Sequence, residues 1–438
     1  MFATPLPLLR GLAATACAAL LLSACGGVVG DDADNSDPAA DLPDAELVAP
    51  IAGMPCEEGA TPTGEPIVVG GSLSLTGTLA PTATLHNAVA ELVADWVNEC
   101  GGLEGRPLEW KVLDDQSTPG TVTSNYERLI GDDVDFVMGP YGGAATLAGA
   151  GPVTRAGYAY PTATNGAPDK LIGENHFPAW QIGGGVDDPS QMFTAQADTL
   201  VAALESSGNP PETAFFATAK FPTTLSYRGA VVDALEGAGT EIAGDVEYDL
   251  GTTDFSSIAI RIQSADPDLV YVGGLGADIT SLYQAFDAIG YEPRSIYVAF
   301  PAPPAVADLG DKADGMMVSS IYEHHEPLGG TPVAQYFAKA YSEVAAEDDL
   351  FPLVEAQAAA GLAAWQILLT GILEGGTDNK AVIDWLNANE VDTIVGKLNF
   401  DGYNNYGADI NRVAQVQDGT RVLVWPEDVS GAEIDYNP

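Results

Sequence analysis

Positive charge is scarce in this chain of 438 residues. It has 16 Lys and Arg residues against 62 Asp and Glu residues, which gives a formal net charge of −46 at pH 7. A surface that binds nucleic acid or an anionic membrane needs clustered Lys and Arg, so the composition excludes both as general roles. Adaptation to salty surroundings, where counterions screen the self-repulsion, explains this balance better than an acidic surface made for a basic partner.

The motifs of common enzyme classes are also missing. The chain has four His residues, two of them adjacent, and therefore few candidate bases for a Ser-His-Asp hydrolase. It contains no Walker loop, HExxH or GxSxG motif, and its GGSLSLTG segment is not the GxGxxG of dinucleotide-binding proteins. We therefore expect no catalytic residues, no enzymatic activity and no cofactor.

One run, from Glu323 to Glu326, suggests a metal site because it reads Glu-His-His-Glu. In an extended strand, however, His324 and His325 would point to opposite faces. The sequence therefore argues against a metal site at this position.

The N-terminus has the pattern of an export signal over residues 1–24. Arg10 supplies the positive charge, residues 11–22 form an apolar core, and the segment LSAC ends at Cys25. This ending looks like a bacterial lipobox, in which the cysteine becomes the lipidated first residue; a plain secretory signal cut elsewhere is the alternative. No later run of about 18 apolar residues free of charge is apparent. We therefore expect an exported protein tethered to a membrane by its N-terminal lipid.

Only four cysteines are present, and two of them belong to the leader and its cleavage site. Cys17 leaves with the signal and Cys25 takes the lipid. Cys56 and Cys100 remain, in an oxidising compartment, and we expect them to form one disulfide. Two unpaired buried thiols are the alternative.

Residues 25–66 are expected to form an acidic, disordered tether. From Gly26 to Pro66 there are ten acidic residues, no Lys or Arg, and frequent Pro, Gly and Ala. About 370 residues follow, which is enough for two lobes. Removal of Arg10 leaves 15 basic and 62 acidic residues, a charge of −47, so the folded part is strongly acidic too.

Strands and helices alternate through the rest of the chain. An apolar strand over residues 67–75 is followed by a helix with apolar 3.6-residue spacing over 87–100 and a second strand over 108–113. A second set of strands and helices starts at residue 214. This order predicts an α/β fold with parallel sheets covered on both faces.

Two neighbouring strand ends suggest a cradle for a small molecule. The strand FVM, residues 136–138, ends at Gly-Pro and runs into a loop with almost no bulky side chains, and the next strand ends in the segment PTATN. Open α/β sheets bind ligands at the carboxyl ends of their strands, where small residues let backbone N–H groups approach a ligand. A helix starting near Ala144 would aim its positive end at this loop. The residues expected to touch the ligand here are Tyr141, Gly142, Gly143, Thr162 and Thr164.

Several segments, in this order, resemble one known family. IVVGGSLSLTGTLAP, VNECGGLEGRPLEWKVLDDQSTP, DFVMGPYGGAAT, PTATN, GTTDFSSIAIRIQSADPDLVYVGG and VGKLNFD are similar to the type I solute-binding proteins of the leucine/isoleucine/valine and amide group. The resemblance covers residues 67–425.

The resemblance implies two lobes, each a mostly parallel sheet flanked by helices, joined by three hinge crossings and closing on a ligand. Lobe 1 would comprise residues 67–183 and 320–398, and lobe 2 residues 184–319 and 399–438. It also implies an ABC permease in the membrane as the partner that receives the ligand.

In the family, the loops after the third and fourth strands hold the ligand's carboxylate or amide. Gly143 stands where amino-acid-binding relatives often carry a serine, so one hydroxyl is lost here. On lobe 2, Leu275 and Gly276 follow a strand where relatives often place an aromatic residue. The loop from Phe300 to Pro303 contains no acid, although relatives usually supply one there for the ligand's ammonium group. Asp278 is the nearest alternative acid in the sequence.

A buried ammonium group without a counter-charge is costly. We therefore expect a small carboxylate or amide with an apolar or aromatic body, and a branched-chain amino acid if Asp278 reaches the site. Four aromatic residues are candidates for an apolar pocket, namely Tyr141, Phe221, Phe300 and Tyr322.

The sequence thus predicts a monomeric, extracytoplasmic substrate-binding lipoprotein of an ABC importer. It would bind a small amino-acid-like, amide or carboxylate solute and deliver it to a permease. A tethered sensor that signals through a membrane receptor is the alternative.

Overall fold

The computed structural model describes residue 39 and residues 42–165, 174–182, 193–274, 278–300, 303–348, 350–401 and 410–436. These residues belong to one compact unit that starts at residue 38. The expected signal peptide and the lipidation site Cys25 lie outside the described residues.

The strands alternate with helices in the expected order. The strands are β1 (Ile67–Leu73), β2 (Leu108–Asp114), β3 (Phe136–Met138), β4 (Tyr160–Asn165), β5 (His176–Gln181), β6 (Thr213–Ala219), β7 (Glu241–Tyr248), β8 (Leu269–Gly273), β9 (Ile296–Val298), β10 (Met317–Ser320), β11 (Val391–Thr393), β12 (Gly396–Leu398), β13 (Arg412–Gln417) and β14 (Thr420–Trp425). The helices are α1 (Ala80–Glu99), α2 (Pro119–Gly131), α3 (Gly143–Ala156), α4 (Thr194–Ser206), α5 (Pro222–Ala238), α6 (Ser256–Ala265), α7 (Asp278–Ile289), α8 (Pro303–Ala307), α9 (Pro332–Glu347), α10 (Ala356–Gly375) and α11 (Asn379–Leu386), with a 3-10 turn at Gly310–Ala313.

Proline and glycine set several helix boundaries. Helices α2, α5 and α9 start at Pro119, Pro222 and Pro332, where the missing N–H costs nothing. Helices α3 and α5 end at Gly157 and Gly239, which adopt φ values of +79° and +97°. Such left-handed residues satisfy the last carbonyl groups of a helix and favour glycine.

The sheet of lobe 1 is parallel in the order β2-β1-β3, with Ile67 opposite Leu108 and Val69 opposite Phe136. Strands β4 and β5 pair in parallel beside it, and the Gly139 N–H donates to the Pro161 carbonyl oxygen at 2.7 Å. This bond continues the sheet from β3 to β4. A small antiparallel hairpin of β11 and β12 completes the strands of this lobe.

The sheet of lobe 2 has seven strands in the order β14-β13-β10-β9-β8-β6-β7. Its strands pair in parallel from β10 to β7, whereas β13 is antiparallel to both of its neighbours. The structure is therefore two separate α/β sheets, as the sequence predicts.

Each sheet lies between two apolar clusters. In lobe 1 one face packs on α1, α9 and α10, around residues such as Val93, Trp96 and Leu368, and the other face packs on α2 and α3 around Tyr126. Helix α10 is long and apolar enough to cross a membrane by length and composition, with a mean hydropathy of 1.4, but 83% of its apolar window is buried in the core. The sequence predicts a helical stretch over residues 353–373, and in the structure this helix is the central helix of lobe 1.

The chain passes between the lobes three times. Strand β5 ends in lobe 1 and α4 packs on lobe 2, β10 belongs to lobe 2 and α9 to lobe 1, and β12 is followed by β13 in lobe 2. Ser320, placed in lobe 1 from the sequence, pairs with Arg412 in the sheet of lobe 2. The hinge segment that crosses at this point starts at Ile321.

The expectation that all of residues 25–66 form a disordered tether is wrong for its second half. Ile51 and Met54 are buried in the core of lobe 1, the Trp96 indole N–H donates to the Val48 carbonyl at 2.6 Å, and the Gln366 amide donates to the Pro50 carbonyl at 2.9 Å. The average composition of the segment concealed a few apolar anchors, which bury enough surface to fix it on lobe 1.

Cys56 and Cys100 are joined by a disulfide. It links this N-terminal segment to the residue that follows α1.

Candidate functional site

Two loops of lobe 1 meet at the carboxyl ends of β3 and β4. A Cβ atom on Gly139 would lie 2.4 Å from Cγ2 of Thr162 and 2.8 Å from the Pro161 carbonyl oxygen. Only glycine allows the two strand ends to approach this closely. The structure therefore brings together the two loops that the sequence identifies as a cradle.

The first loop ends in a helix start. Gly142 has a φ of +93°, and α3 begins at Gly143, one residue before the predicted Ala144. The Thr146 N–H donates to the Gly142 carbonyl at 2.9 Å, which closes the first turn. The earlier N–H groups of a helix have no partner within it and carry its positive end, so they can serve an acceptor group.

The hydroxyl groups of the second loop are bonded inside lobe 1. Thr162 is fully buried, with its Oγ1 atom 3.0 Å from Nε2 of His176, and Thr164 donates to Oε1 of Gln357 at 2.9 Å. Free donors were expected from the sequence. The sequence could not show these bonds, because the Gln357 partner comes from α10, 193 residues along the chain.

Tyr141 packs against a histidine of α1, with the His86 and Tyr141 ring centroids 5.1 Å apart. Burial lowers the pKa of His86 to about 4, with a smaller opposing effect of the Gln357 side chain, so the ring is neutral at physiological pH. Burial also raises the pKa of Tyr141, and the charge of Glu355 raises it further. A cavity of about 20 Å³, the size of one water molecule, lies against both rings.

Glu355 is a buried carboxyl group at the start of α10. It is 8% exposed, and its Oε2 and Oε1 atoms accept the N–H groups of Gln357 and Ala358 at 2.9 and 3.2 Å. Burial raises its pKa to about 7, against the lowering effect of these two bonds and of Arg421. Within the described part of the chain, no Lys or Arg lies within ion-pair distance of it.

A cavity of about 360 Å³ lies between the lobes, and we call it the interlobe cavity. Lobe 1 contributes the loop before α10, lobe 2 contributes α8, the 3-10 turn and the turn from β13 to β14, and the hinge segment lies between them. Its lining residues are Leu42, Pro43, Val306, Ala307, Gly310, Ala313, Glu323, His324, His325, Phe351, Leu353, Val354, Glu355, Val416, Gly419, Thr420 and Arg421.

An ion pair forms part of this lining. The Arg421 guanidinium donates to Oε1 of Glu323 at 2.5 Å, and the two side chains are 16% and 4% exposed. Oε1 of Glu323 also accepts the Ser320 hydroxyl at 3.0 Å. Burial raises the pKa of Glu323, while the Arg421 charge opposes the shift. Glu323 thus has a cationic partner, and Glu355 has none of this kind.

The predicted orientation of the two adjacent histidines is wrong. His324 and His325 lie in a bend rather than a strand, and their ring centroids are only 3.9 Å apart. Burial lowers the pKa of both rings, that of His324 to about 4. Across the described residues, no group of three or more His, Cys, Asp or Glu side chains could hold a metal ion.

Lobe 2 presents aromatic residues at its strand ends. Phe221 follows β6 and is 40% exposed, and Phe300 follows β9 and packs edge-on against Tyr227 with ring centroids 5.6 Å apart. Tyr322, the fourth predicted pocket aromatic, is fully buried in the core of lobe 1. Its assignment to the pocket is wrong, because its side chain packs into the core of lobe 1 instead.

Three other residues of lobe 2 are candidates from the sequence, namely Leu275, Gly276 and Asp278. Asp278 starts α7 and accepts a hydrogen bond from the Tyr248 hydroxyl at 2.9 Å. Leu275 and Gly276 lie outside the described residues.

A family model for periplasmic binding proteins matches residues 66–421. The chain belongs to this family. Among curated relatives, the leucine-, isoleucine-, valine-, threonine- and alanine-binding protein of Pseudomonas aeruginosa is 22% identical over 342 residues, which are 75% of this chain and 83% of the relative. The Leu/Ile/Val-binding protein of Escherichia coli K12 is also 22% identical, over 71% of this chain and 80% of its own length.

Solved structures share the two-lobe, type I periplasmic binding fold. An amino acid ABC transporter substrate-binding protein from Pseudomonas fluorescens Pf-5 matches with a TM-score of 0.68 and 18% identity, covering 83% of this chain and 97% of that one. A solute-binding protein from R. palustris in complex with benzoate matches with a TM-score of 0.64 and 19% identity, covering 85% and 99%. At these identities the likeness shows the fold alone.

Sequence reasoning missed several residues at the site of this periplasmic binding protein, namely His86, Glu323, Glu355, Gln357 and Arg421. Glu323 lies in the Glu-His-His-Glu run, but that pattern suggests a metal site and not a solute site. The other four come from distant segments and have no local pattern that identifies them.

Proposed function

We propose that this protein is the extracytoplasmic solute-binding lipoprotein of an ABC importer. It binds one small amino-acid-like, amide or carboxylate solute between its lobes and delivers it to a membrane permease. The observation that carries the proposal is the interlobe cavity, which residues of both lobes and of the hinge segment line together. Its volume of about 360 Å³ falls in the range of small-molecule sites.

The relatives support a solute with a carboxylate next to an apolar body. The Pseudomonas aeruginosa protein is named for leucine, isoleucine, valine, threonine and alanine, and the R. palustris structure is a complex with benzoate. These ligands share a carboxylate group, and most of them have an apolar or aromatic remainder.

The cradle of lobe 1 suits the carboxylate. Backbone N–H groups at Gly143 and the following residue are directed outward from the start of α3, next to Tyr141. Charge-assisted hydrogen bonds to such N–H groups are strong. Thr162 and Thr164 contribute by fixing the second loop, and Gly142 allows the turn that exposes the N–H groups.

Lobe 2 is proposed to cover the apolar body of the solute. Phe221, with its exposed ring, and Phe300 follow β6 and β9, and the predicted residues Leu275 and Gly276, which lie outside the described residues, follow β8 in the sequence. Burial of apolar area supplies roughly 25 cal/mol per Å².

The protein is proposed to be attached to the membrane through a lipid on Cys25. Because residues 42–66 lie on lobe 1, they do not belong to the tether in this proposal. Intact-mass analysis of the membrane-extracted protein tests this part, and a mature N-terminus other than a diacylated Cys25 would contradict it.

Native mass spectrometry of gently purified protein tests the solute-binding function. We expect one retained molecule of a few hundred daltons or less, released on denaturation and containing a carboxylate or amide. Purified protein that retains no solute and binds neither L-leucine, L-valine nor benzoate by calorimetry would contradict the proposal.

A further inference from the structure

We propose that Glu355 is the counter-charge for a cationic nitrogen on the solute, so that the solute carries an amino group as well as its carboxylate or amide. This inference rests on the proposed function and names its substrate class. It places the acid on lobe 1, at the start of α10, and not in the loop after β9 of lobe 2, where the family resemblance led us to expect one.

The carboxylate of Glu355 has capacity for further hydrogen bonds at the cavity. Two oxygen atoms can accept about four hydrogen bonds, and among the described residues only the N–H groups of Gln357 and Ala358 are bonded to them. The side chain is 8% exposed and lines the interlobe cavity. A donor on a solute in this cavity can therefore reach an oxygen that is already held in place by the helix start.

Two other candidate acids, Glu323 and Asp278, already have a cationic or hydroxyl partner. Glu323 is paired with Arg421 at 2.5 Å, and Asp278 accepts from Tyr248 at 2.9 Å. Glu355 has backbone partners but no ion pair among residues 42–165, 174–182, 193–274, 278–300, 303–348, 350–401 and 410–436. A buried carboxylate without a cation is costly, so a bound ammonium group would remove most of that cost.

Glu355 also lies next to the cradle that would hold the other end of the solute. Gln357, whose N–H it accepts, is bonded through its side chain to Thr164 of the second cradle loop. The charge of Glu355 acts on Tyr141 of the first loop. Glu355 is therefore linked to both cradle loops, and in this proposal the amino group of the solute binds Glu355 while its acceptor group binds the cradle.

The charged and titratable groups that face Glu355 come from four other elements. Glu323 and Arg421 act on it from the hinge segment and β14, and it acts on Tyr341 of α9 and Tyr141 before α3. His324 and His325 line the same cavity, and burial lowers the pKa of both rings, that of His324 to about 4. Burial raises the pKa of Glu355 to about 7, so this carboxyl group titrates between pH 6 and 8.

The experiment compares matched pairs of solutes that differ only in the amino group: L-leucine with 4-methylpentanoate, L-valine with 3-methylbutanoate, and 4-aminobutanoate with butanoate. Calorimetry measures each affinity for the full mature protein, for Glu355→Gln and for Asp378→Asn between pH 6 and 8. Asp378 caps α11 by accepting the Ala381 N–H, and it is exposed and away from the cavity. It is therefore a matched control for the loss of a helix cap.

We expect the amino member of at least one pair to bind more tightly than its partner, with an affinity that rises about tenfold from pH 6 to pH 8 as Glu355 ionises. Glu355→Gln should lower that affinity about thirtyfold or more and remove the pH dependence, because it leaves a buried ammonium group unpaired. Asp378→Asn should keep both the affinity and the pH profile.

Equal or tighter binding of the deaminated members, or an amino preference that survives in Glu355→Gln, would overturn this inference and leave the proposed solute-binding function standing. Binding of benzoate without binding of any amino member would overturn this inference alone. Binding of no member of any pair, by a protein that also retains no solute and does not bind benzoate, would contradict the proposed function and this inference with it.

Discussion

The two lobes differ in the residues that follow their parallel strands. Lobe 1 has the cradle glycines and Thr164, which is bonded to the amide of Gln357, and its Glu355 lines the interlobe cavity, whereas lobe 2 has Phe221 after β6 and Phe300 after β9. Polar groups fix the orientation of a ligand because their bonds are directional, and apolar area adds affinity without direction. The difference suggests that lobe 1 selects the solute and lobe 2 covers it on closure.

The buried carboxyl group of Glu355 in lobe 1 makes the stability of the solute-free protein depend on pH. The pKa of Glu355 is about 7 in the folded chain, against 4.5 as its ordinary value, so the folded protein binds more protons than the unfolded chain between these two values. The stability contribution of the protonated group is therefore lost as pH rises through this range, and Glu355 destabilises the solute-free protein at higher pH.

The largest effect is expected from Glu355→Gln in the solute-free protein. At pH 8 the variant should be more stable than the wild type by about 3 kcal/mol, because a buried charge is removed, and near pH 4.5 the two should be nearly equal. Chemical denaturation across this pH range measures the difference. A constant difference at all pH values would show that Glu355 acts only as a helix cap.

The second effect concerns the glycine where the two cradle loops meet. Gly139→Ala would place a Cβ atom 2.4 Å from Thr162, so it should destabilise the protein by about 1–3 kcal/mol and weaken solute binding. Gly120→Ala is the control, because Gly120 lies in α2 with no atom near the added Cβ. We expect it to be neutral or to stabilise by up to about 1 kcal/mol. Equal urea midpoints for the two variants would contradict the close contact of the loops.

A smaller effect should distinguish the buried threonines of the two lobes. Thr164→Val removes the donor to Gln357 and should destabilise the protein by about 1–2 kcal/mol, because a buried acceptor is left unpaired. Thr218, in β6 of lobe 2, is equally buried, and its hydroxyl has no hydrogen-bond partner among the described residues. Thr218→Val should therefore be neutral or slightly stabilising. The same cost for both substitutions would mean that the hydroxyl bond in lobe 1 does not matter.

Much of the fold could be predicted from the sequence because its signals are local. The 3.6-residue spacing in α1, the strand that ends at Met138 and the glycines after the helices all lie within a few residues of the structure they specify. The same reasoning failed for the tether, where apolar residues such as Ile51 and Met54 act through contacts with helices far along the chain.

The candidate site was predictable only for its first loop and for the place where the strands end. The partners that decide its chemistry lie far apart in the sequence: Thr164 meets Gln357, and Glu323 meets Arg421. Single-sequence patterns carry no information on such pairs. From the sequence, the candidate acids for the ammonium group of a ligand are therefore the family position after β9 and Asp278. Nothing in the sequence marks Glu355 for this role.

The central claim is that a solute with a carboxylate or amide group binds between the lobes and draws them together. Small-angle X-ray scattering of the mature protein, titrated with L-leucine, benzoate and the molecule retained on purification, tests it most directly. We expect the radius of gyration to fall as solute is added and to saturate at one solute per chain, with its midpoint at the affinity measured by calorimetry. A solute that binds by calorimetry but leaves the radius of gyration unchanged would contradict it.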